Sequence, residues 1–212
     1  MTMKFLTTTI IIATFCSATA QEVSKTKNLF DGKTLTGWKT VNPAAMKKWS
    51  VVDGVITSGN LTDKIPANTY LATTKEYGDF EFCCLFRLQG DHKTGLINSG
   101  IQYRSVIHGK KIIGYQADIG RGYWGDIYDE HRRGKLIGGD NKTLKHILKE
   151  DGWNSYIIRC KGNHHQLYIN GVLTADYHEK DPKIPAKGVI AVQIHSGGKA
   201  KVEFRNLTIT EL

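Results

Sequence analysis

Hydrophobic and polar residues alternate along most of this chain in short runs of strand length. Strand side chains point alternately to opposite faces, so alternation predicts strands with one apolar face. The run 80–88 is the clearest case, and its predicted core face carries Phe80, Phe82, Cys84, Phe86 and Leu88. Asp53-Gly54 and Asn170-Gly171 are typical of two-residue hairpin turns between such runs.

The spacing of these runs predicts one all-β domain. Strand-length runs recur along the chain between 22 glycines, which indicates a sandwich of many antiparallel strands. The one helical patch, 141–152, is short, and one β-bulge is expected near Asn206. No repeat or linker divides the sequence, so residues 28–212 are predicted to form a single domain.

The N-terminus has the features of an export signal. Lys4 precedes an apolar stretch, and Ala18-Thr19-Ala20 is typical of a cleavage site. We therefore predict a signal peptide over 1–20, a disordered polar leader over 21–27, and a secreted or periplasmic mature protein. The apolar stretch is too short to span a membrane.

Charge and cysteine content narrow the function classes. The chain carries 29 Lys and Arg against 20 Asp and Glu, a net charge of +9, but the basic residues are scattered rather than arranged as a nucleic-acid-binding stripe. Cys160 could pair with Cys83 or Cys84, or all three are small buried hydrophobic residues, which is the reading we favour. No Cys–His spacing resembles a zinc site.

Three separate strand runs combine an apolar face with a face of specific polar groups. If the three strands are neighbours in one sheet, these groups converge on one groove suited to a sugar. They are Asn98, Gln102 and Arg104 on the first run, Gln116 and Asp118 on the second, and Gln193 and His195 on the third.

A loop after the second run adds aromatic and charged side chains. Aromatic platforms and planar hydrogen-bonding groups are what a sugar site requires, and the loop offers Tyr123, Trp124, Tyr128, Glu130 and Arg132. The alternatives are that Trp124 packs in the core or at its rim, and that the charged residues form an ordinary exposed cluster.

The order of short motifs along residues 28–212 resembles that of the 3-keto-disaccharide hydrolases. The matching segments are NLFDGKTLTGW, NSGIQYR, GYQADIG, GWNSYIIRCKGN, INGV, GVIAVQIHSGG and VEFRNLTI. The resemblance implies a jelly-roll sandwich of two antiparallel sheets, of the concanavalin A-like lectin and glucanase type. It also implies action on glycosides whose sugar carries a ketone at C3.

A C3 ketone acidifies the proton on C2, so a base can remove it and the C1 substituent then leaves. Water adds back to give net hydrolysis, or the reaction stops as a lyase. Asp118 or His195 is the expected base, with Glu130 a third candidate. Arg104 with Gln116, or Tyr128, would hold the developing negative charge. Many family members carry Glu at position 116 and Gln at position 118, so the acidic group has moved along this strand.

Other readings remain open. The domain could be a non-catalytic carbohydrate-binding module, a conventional two-carboxylate glycoside hydrolase, or a structural or adhesion domain. A two-carboxylate site on this fold would use an E-x-D-x-E-like run, and Asp118 stands alone on its strand. The expected partner is an oligosaccharide or 3-keto-glycoside. No cofactor is assigned, although Asp118, Glu130 and His195 could ligate a divalent metal if they converged.

Overall fold

The computed structural model describes residues 25–212, and the predicted signal peptide at 1–20 lies outside the described residues. A 3-10 helix covers Pro43–Lys48 and the helix α1 covers Asn141–Leu144. The strands are β1 Lys27–Asn28, β2 Trp38–Thr40, β3 Trp49–Val52, β4 Val55–Lys64, β5 Thr69–Tyr77, β6 Phe80–Asp91, β7 Asn98–His108, β8 Lys111–Gly120, β9 Ile127–Glu130, β10 Gly134–Ile137, β11 Asn154–Lys161, β12 His164–Ile169, β13 Val172–His178, β14 Gly188–Ile194 and β15 Lys199–Glu211.

The strands form two antiparallel sheets packed as a sandwich. The first sheet has the order β13-β12-β11-β6-β15-β4-β3, with β1 beside β15. The second has the order β10-β9-β8-β7-β14-β5-β2. This arrangement confirms the predicted all-β jelly-roll class.

The core lies between the two sheets and contains the face predicted from β6. Phe80, Phe82 and Phe86 are fully buried there, and the alternate side chains of β7, β8 and β14 meet them from the second sheet. The two-residue hairpins are also confirmed, because Asp53-Gly54 joins β3 to β4 and Asn170-Gly171 joins β12 to β13, all with positive φ. The predicted bulge is present at Asn206, with a φ of 54°.

Two details differ from the sequence-based expectations. The disordered leader predicted over 21–27 extends one residue or more too far, because Lys27 lies on β1, where it pairs with Ile209 of β15 and forms an ion pair with Glu211. The alternative of a disulfide to Cys160 is wrong, since Cys83, Cys84 and Cys160 are all free thiols. No helix in residues 25–212 is long and apolar enough to cross a membrane.

Candidate functional site

The three strands with polar faces are neighbours, as predicted. β7 lies between β8 and β14. Gly100 of β7 is opposite Asp118 on one side and Gln193 on the other. Because neighbouring strands are about 4.8 Å apart, the Cα atoms of these two polar residues are separated by roughly 10 Å, with a position lacking a side chain between them.

The face that carries these residues is concave. Tyr70 on β5 and Glu130 on β9 are separated by three intervening strands, which is about 19 Å across a flat sheet. Their side chains nevertheless meet, with Tyr70 Oη donating to Glu130 Oε1 at 3.3 Å. The sheet must therefore curve strongly, and this contact crosses above the polar row. Burial, as the main cause, and the nearby Glu130 carboxylate raise the pKa of Tyr70 to about 12.

A chain of side-chain amides leads to Asp118 along the floor of the concave face. Gln102 Nε2 donates to Gln116 Oε1 at 2.6 Å, and Gln116 Nε2 donates to Asp118 Oδ1. Gln116 lies directly over Gly100, where a Cβ atom would come within 2.6 Å of its side chain. Glycine at this position is thus what allows Gln116 to reach Asp118.

Asp118 is 4% exposed, and the surrounding protein disfavours its charged form. Desolvation, as the largest effect, raises the pKa of this carboxyl to about 7, and the carboxylates of Asp126 and Glu130 add to it. The hydrogen bond from Gln116 and the ammonium group of Lys135 act in the opposite direction. A carboxyl group that titrates near neutral pH is suited to accept a proton during catalysis.

Asn98, at the start of β7, and His195, just after the end of β14, form a second polar group on this face. The His195 backbone N–H donates to Asn98 O at 3.1 Å, which places the two residues side by side. His195 Nδ1 donates to the Ser196 carbonyl oxygen at 2.6 Å, which fixes the orientation of the imidazole ring. Within residues 25–212 the Asn98 amide has no side-chain hydrogen-bond partner, and the fully buried Gln193 Oε1 is also unpartnered.

A cavity of about 480 Å³ adjoins the concave face. Asn68 and Tyr70 line it, and both also contact the third polar strand run: Asn68 Oδ1 accepts from the Ser196 backbone N–H, and Tyr70 Oη accepts from Gln193 Nε2. We call the polar residues of this face the concave row; they are Asn98, Gln102, Gln116, Asp118, Gln193 and His195. Asp118 is not part of its lining. The cavity therefore lies beside Asp118 rather than around it, with Tyr70 at the boundary.

Arg104 does not join this site, contrary to the prediction. A bulge between Tyr103 and Val106, with a φ of 44° at Arg104, breaks the alternation that assigned Arg104 to the face of Gln102. The buried guanidinium instead donates to Gly78 O, Gly162 O and Asp79 Oδ1 at 2.9, 2.7 and 2.8 Å. It thereby joins β7 to the connection between β5 and β6 and to the turn between β11 and β12.

Two further predicted sugar contacts are also placed elsewhere. Trp124 packs on the core residue Phe86, with ring centroids 6.2 Å apart, so the core alternative is correct for it. Arg132 pairs with the fully buried Asp129, which faces the interior of the sandwich. Tyr128 does face the concave side, opposite Gln116.

Sequence reasoning missed three residues that shape the site: Tyr70, Asp126 and Lys135. Tyr70 alternates with the core residue Leu71 on β5, so its face could have been inferred once β5 was paired with β14. Asp126 and Lys135 form an ion pair of 2.6 Å. Asp126 precedes β9 and Lys135 lies on the four-residue strand β10, so neither lies in a run long enough to show a pattern.

The sequence offered Asp118, Glu130 and His195 as possible metal ligands if they converged. Among the described residues, the group of His, Cys, Asp and Glu side chains whose ligand atoms lie within 4.8 Å of one another does not include Asp118, Glu130 or His195. The polar face of the second sheet thus presents carboxyl, imidazole and amide groups.

A curved sandwich of two antiparallel sheets with a polar concave face defines the class of jelly-roll proteins. The chain belongs to the family of 3-keto-alpha-glucoside-1,2-lyase-like domains, whose profile matches residues 25–210. No curated protein matches the chain.

Solved structures share the fold. A candidate glycosyl hydrolase from Parabacteroides distasonis is 22% identical, with a TM-score of 0.65 over 88% of this chain and 94% of its own. The carbohydrate-binding module CBM66 from Bacillus subtilis is 14% identical, with a TM-score of 0.62 over 82% of this chain and 96% of its own. A protein of unknown function with a galectin-like fold from Bacillus subtilis is 10% identical, with a TM-score of 0.61 over 84% and 90%.

Proposed function

We propose that the chain is an exported enzyme that cleaves 3-keto-glycosides by removing the proton on C2, with Asp118 as the base. The observation that supports the proposal is the Asp118 carboxyl, which is buried on the polar face of the second sheet with its pKa raised to about 7. A purely structural carboxylate in that position would need a direct cationic partner, and Asp118 has an amide instead.

The reaction follows from the ketone. Asp118 accepts the C2 proton, and the electron pair of the C–H bond forms an enolate with the C3 oxygen. The enolate then re-forms the C3 carbonyl and a C1–C2 double bond, while the C1–O bond breaks and the leaving oxygen takes a proton. Addition of water to C1, with return of a proton to C2, completes net hydrolysis.

The neighbouring residues supply the remaining functions of this mechanism. The Asn98 amide N–H groups, which have no hydrogen-bond partner among residues 25–212, would donate to the enolate oxygen, a type of contact worth about 10²–10³-fold in rate. His195, at the same end of the row, exchanges a proton with the leaving group through Nε2. The 480 Å³ cavity beside Tyr70 has room for the second sugar or aglycone.

The position of Asp118 also accounts for the departure from the family pattern. Gln116 and Asp118 lie on the same face of β8 and are hydrogen bonded to each other. Exchanging their acidic and amide identities therefore keeps one carboxyl and one amide in the row and moves the base by two residues.

The test is incubation of the mature protein with 3-keto-trehalose and 3-keto-glucosides beside the parent sugars, with product analysis. We expect turnover of the keto sugars alone. Asp118→Asn should reduce it roughly 100-fold or more while retaining the fold, because the amide cannot accept the proton. Asp151→Asn, a change at an exposed turn, is the matched control and should leave turnover unaltered.

Cleavage of parent sugars only would identify a conventional glycosidase and contradict the proposal. Saturable binding of unoxidised glycans without any product would identify a binding module instead. Normal turnover in Asp118→Asn would remove this residue as the base.

A further inference from the structure

Three potential metal ligands lie together on the outer face of the β12–β13 hairpin. They are His164, Asp176 and His178, and their ligand atoms all lie within 4.8 Å of one another. The neighbouring residue His165 points into the core, against Tyr103 and Tyr115, so His164 points away from it. The cluster is therefore on the opposite sheet from the concave row and is independent of the proposed function.

The hairpin fixes the positions of these residues. His164 is directly opposite His178 in the strand register, and Asp176 is two residues before His178 on the same face. The open end of the hairpin is closed by two hydrogen bonds between Asn163 and Glu179, of 2.8 and 2.9 Å. The three side chains thus start from a backbone that is already ordered.

The side chains are arranged for a shared cation. The imidazole rings of His164 and His178 stack with centroids 4.0 Å apart and planes within 9° of parallel. His164 Nε2 lies 2.7 Å from Asp176 Oδ1. Gln166 Nε2 donates to the other carboxylate oxygen, Oδ2, at 3.1 Å, which holds Asp176 in place as outer-shell partners do in metal sites.

We propose that His164, Asp176 and His178 bind a divalent transition metal of the zinc, copper or nickel class. Imidazole is a preferred ligand of these ions, whereas calcium and magnesium prefer sites built from oxygen alone. The three protein ligands leave positions for water, because all three side chains are accessible from solvent. Among the described residues, the ion-pair partner of Asp176 is His164, itself one of the three ligands, so no Lys or Arg has to be displaced before the ion binds.

The bound ion would cross-link the two strands of the hairpin. β13 is an edge strand of its sheet, and the ion would join it to β12 across the register. It would replace the hydrogen bond between His164 and Asp176 with bonds to all three ligands. Since binding to the folded state alone stabilises it, the metal should raise the midpoint of thermal unfolding.

The test uses tag-free mature protein stripped with a chelator and then dialysed. Calorimetric titration with Zn²⁺ should saturate at one ion per chain, and Cu²⁺ should give an electron paramagnetic resonance spectrum with nitrogen splitting from two imidazoles. Zn²⁺ at 100 times its Kd should raise the unfolding midpoint by about 5 °C or more.

His178→Ala should weaken Zn²⁺ binding at least tenfold and abolish the two-nitrogen spectrum. Asp176→Asn, which retains the shape of the side chain, should also weaken binding and guards against a folding defect in the first variant. His146→Ala, an exposed histidine outside the cluster, is the matched control and should bind as the parent does. Absence of Zn²⁺ binding to the parent, or equal binding by all variants, would overturn the proposal.

Discussion

The pKa of the Asp118 carboxyl depends on neighbouring charges as well as on burial. The carboxylates of Asp126 and Glu130 raise its pKa, and the ammonium group of Lys135 lowers it. Glu130 lies on β9, Asp126 lies just before β9, and Lys135 lies on β10. All three can therefore be substituted without altering β8, the strand that carries Asp118. Because these charges move the pKa of Asp118 in opposite directions, substituting them should shift the pH profile of an Asp118-dependent reaction in opposite directions.

We expect the pH dependence of kcat/KM on keto sugars to rise through a midpoint near 7, since Asp118 must be ionised to act as a base. Glu130→Gln removes a negative charge and should shift this midpoint to lower pH. Lys135→Met removes a positive charge and should shift it to higher pH.

Glu150→Gln is the control, because this exposed carboxylate pairs with Arg121. It should leave the midpoint unchanged. Shifts of the same sign in the Glu130 and Lys135 variants, or a profile without a limb near pH 7, would exclude Asp118 as the titrating group.

Strand alternation and its interruptions determine which side chains share a face. Regular alternation around Gln102, Gln116 and Gln193 made it predictable from sequence that these amides share a face with Asp118. Arg104 was not predictable, because a one-residue bulge reverses the face of everything beyond it and leaves no clear mark in the residue types. Trp124 and Arg132 lie in connections whose direction depends on tertiary packing, and the contact of Tyr70 with Glu130 depends on sheet curvature.

Arg104→Met should destabilise the fold without removing the catalytic chemistry. The substitution leaves the carbonyl groups of Gly78 and Gly162 without their donor, so we expect a loss of roughly 2–4 kcal/mol in the free energy of unfolding. Denaturant titration measures this loss, and turnover per folded molecule should stay within a few-fold of the parent.

Arg159→Met, at an exposed position on β11, should change stability by less than about 0.5 kcal/mol. Loss of turnover in the Arg104 variant at full stability would show that this arginine acts in the site after all.

The whole sandwich bears a stability cost for keeping Asp118 in its groove. Its folded pKa of about 7 lies above the ordinary value of 3.8, so the group favours the folded state only while it is protonated. This contribution is fully present below about pH 4 and is lost as the pH rises through 7.

Asp118→Asn should therefore be more stable than the parent at pH 8, with the difference vanishing near pH 4. A shift of about 3 pH units corresponds to on the order of 4 kcal/mol as an upper value. Urea titrations of both proteins between pH 4 and pH 8 measure the difference directly. A difference that does not vary with pH would contradict the raised pKa.

The hydrogen bond between Tyr70 and Glu130 resembles a latch across the groove. Tyr70 keeps its proton over the whole physiological range, so the latch is insensitive to pH on that side. Under the proposed chemistry, a sugar ring would reach Asp118 only while this hydrogen bond is broken, and the intact bond would shield the unsaturated sugar formed by elimination from bulk water. Under the proposed chemistry, whether the enzyme releases an unsaturated or a hydrated sugar would depend on the lifetime of this single contact.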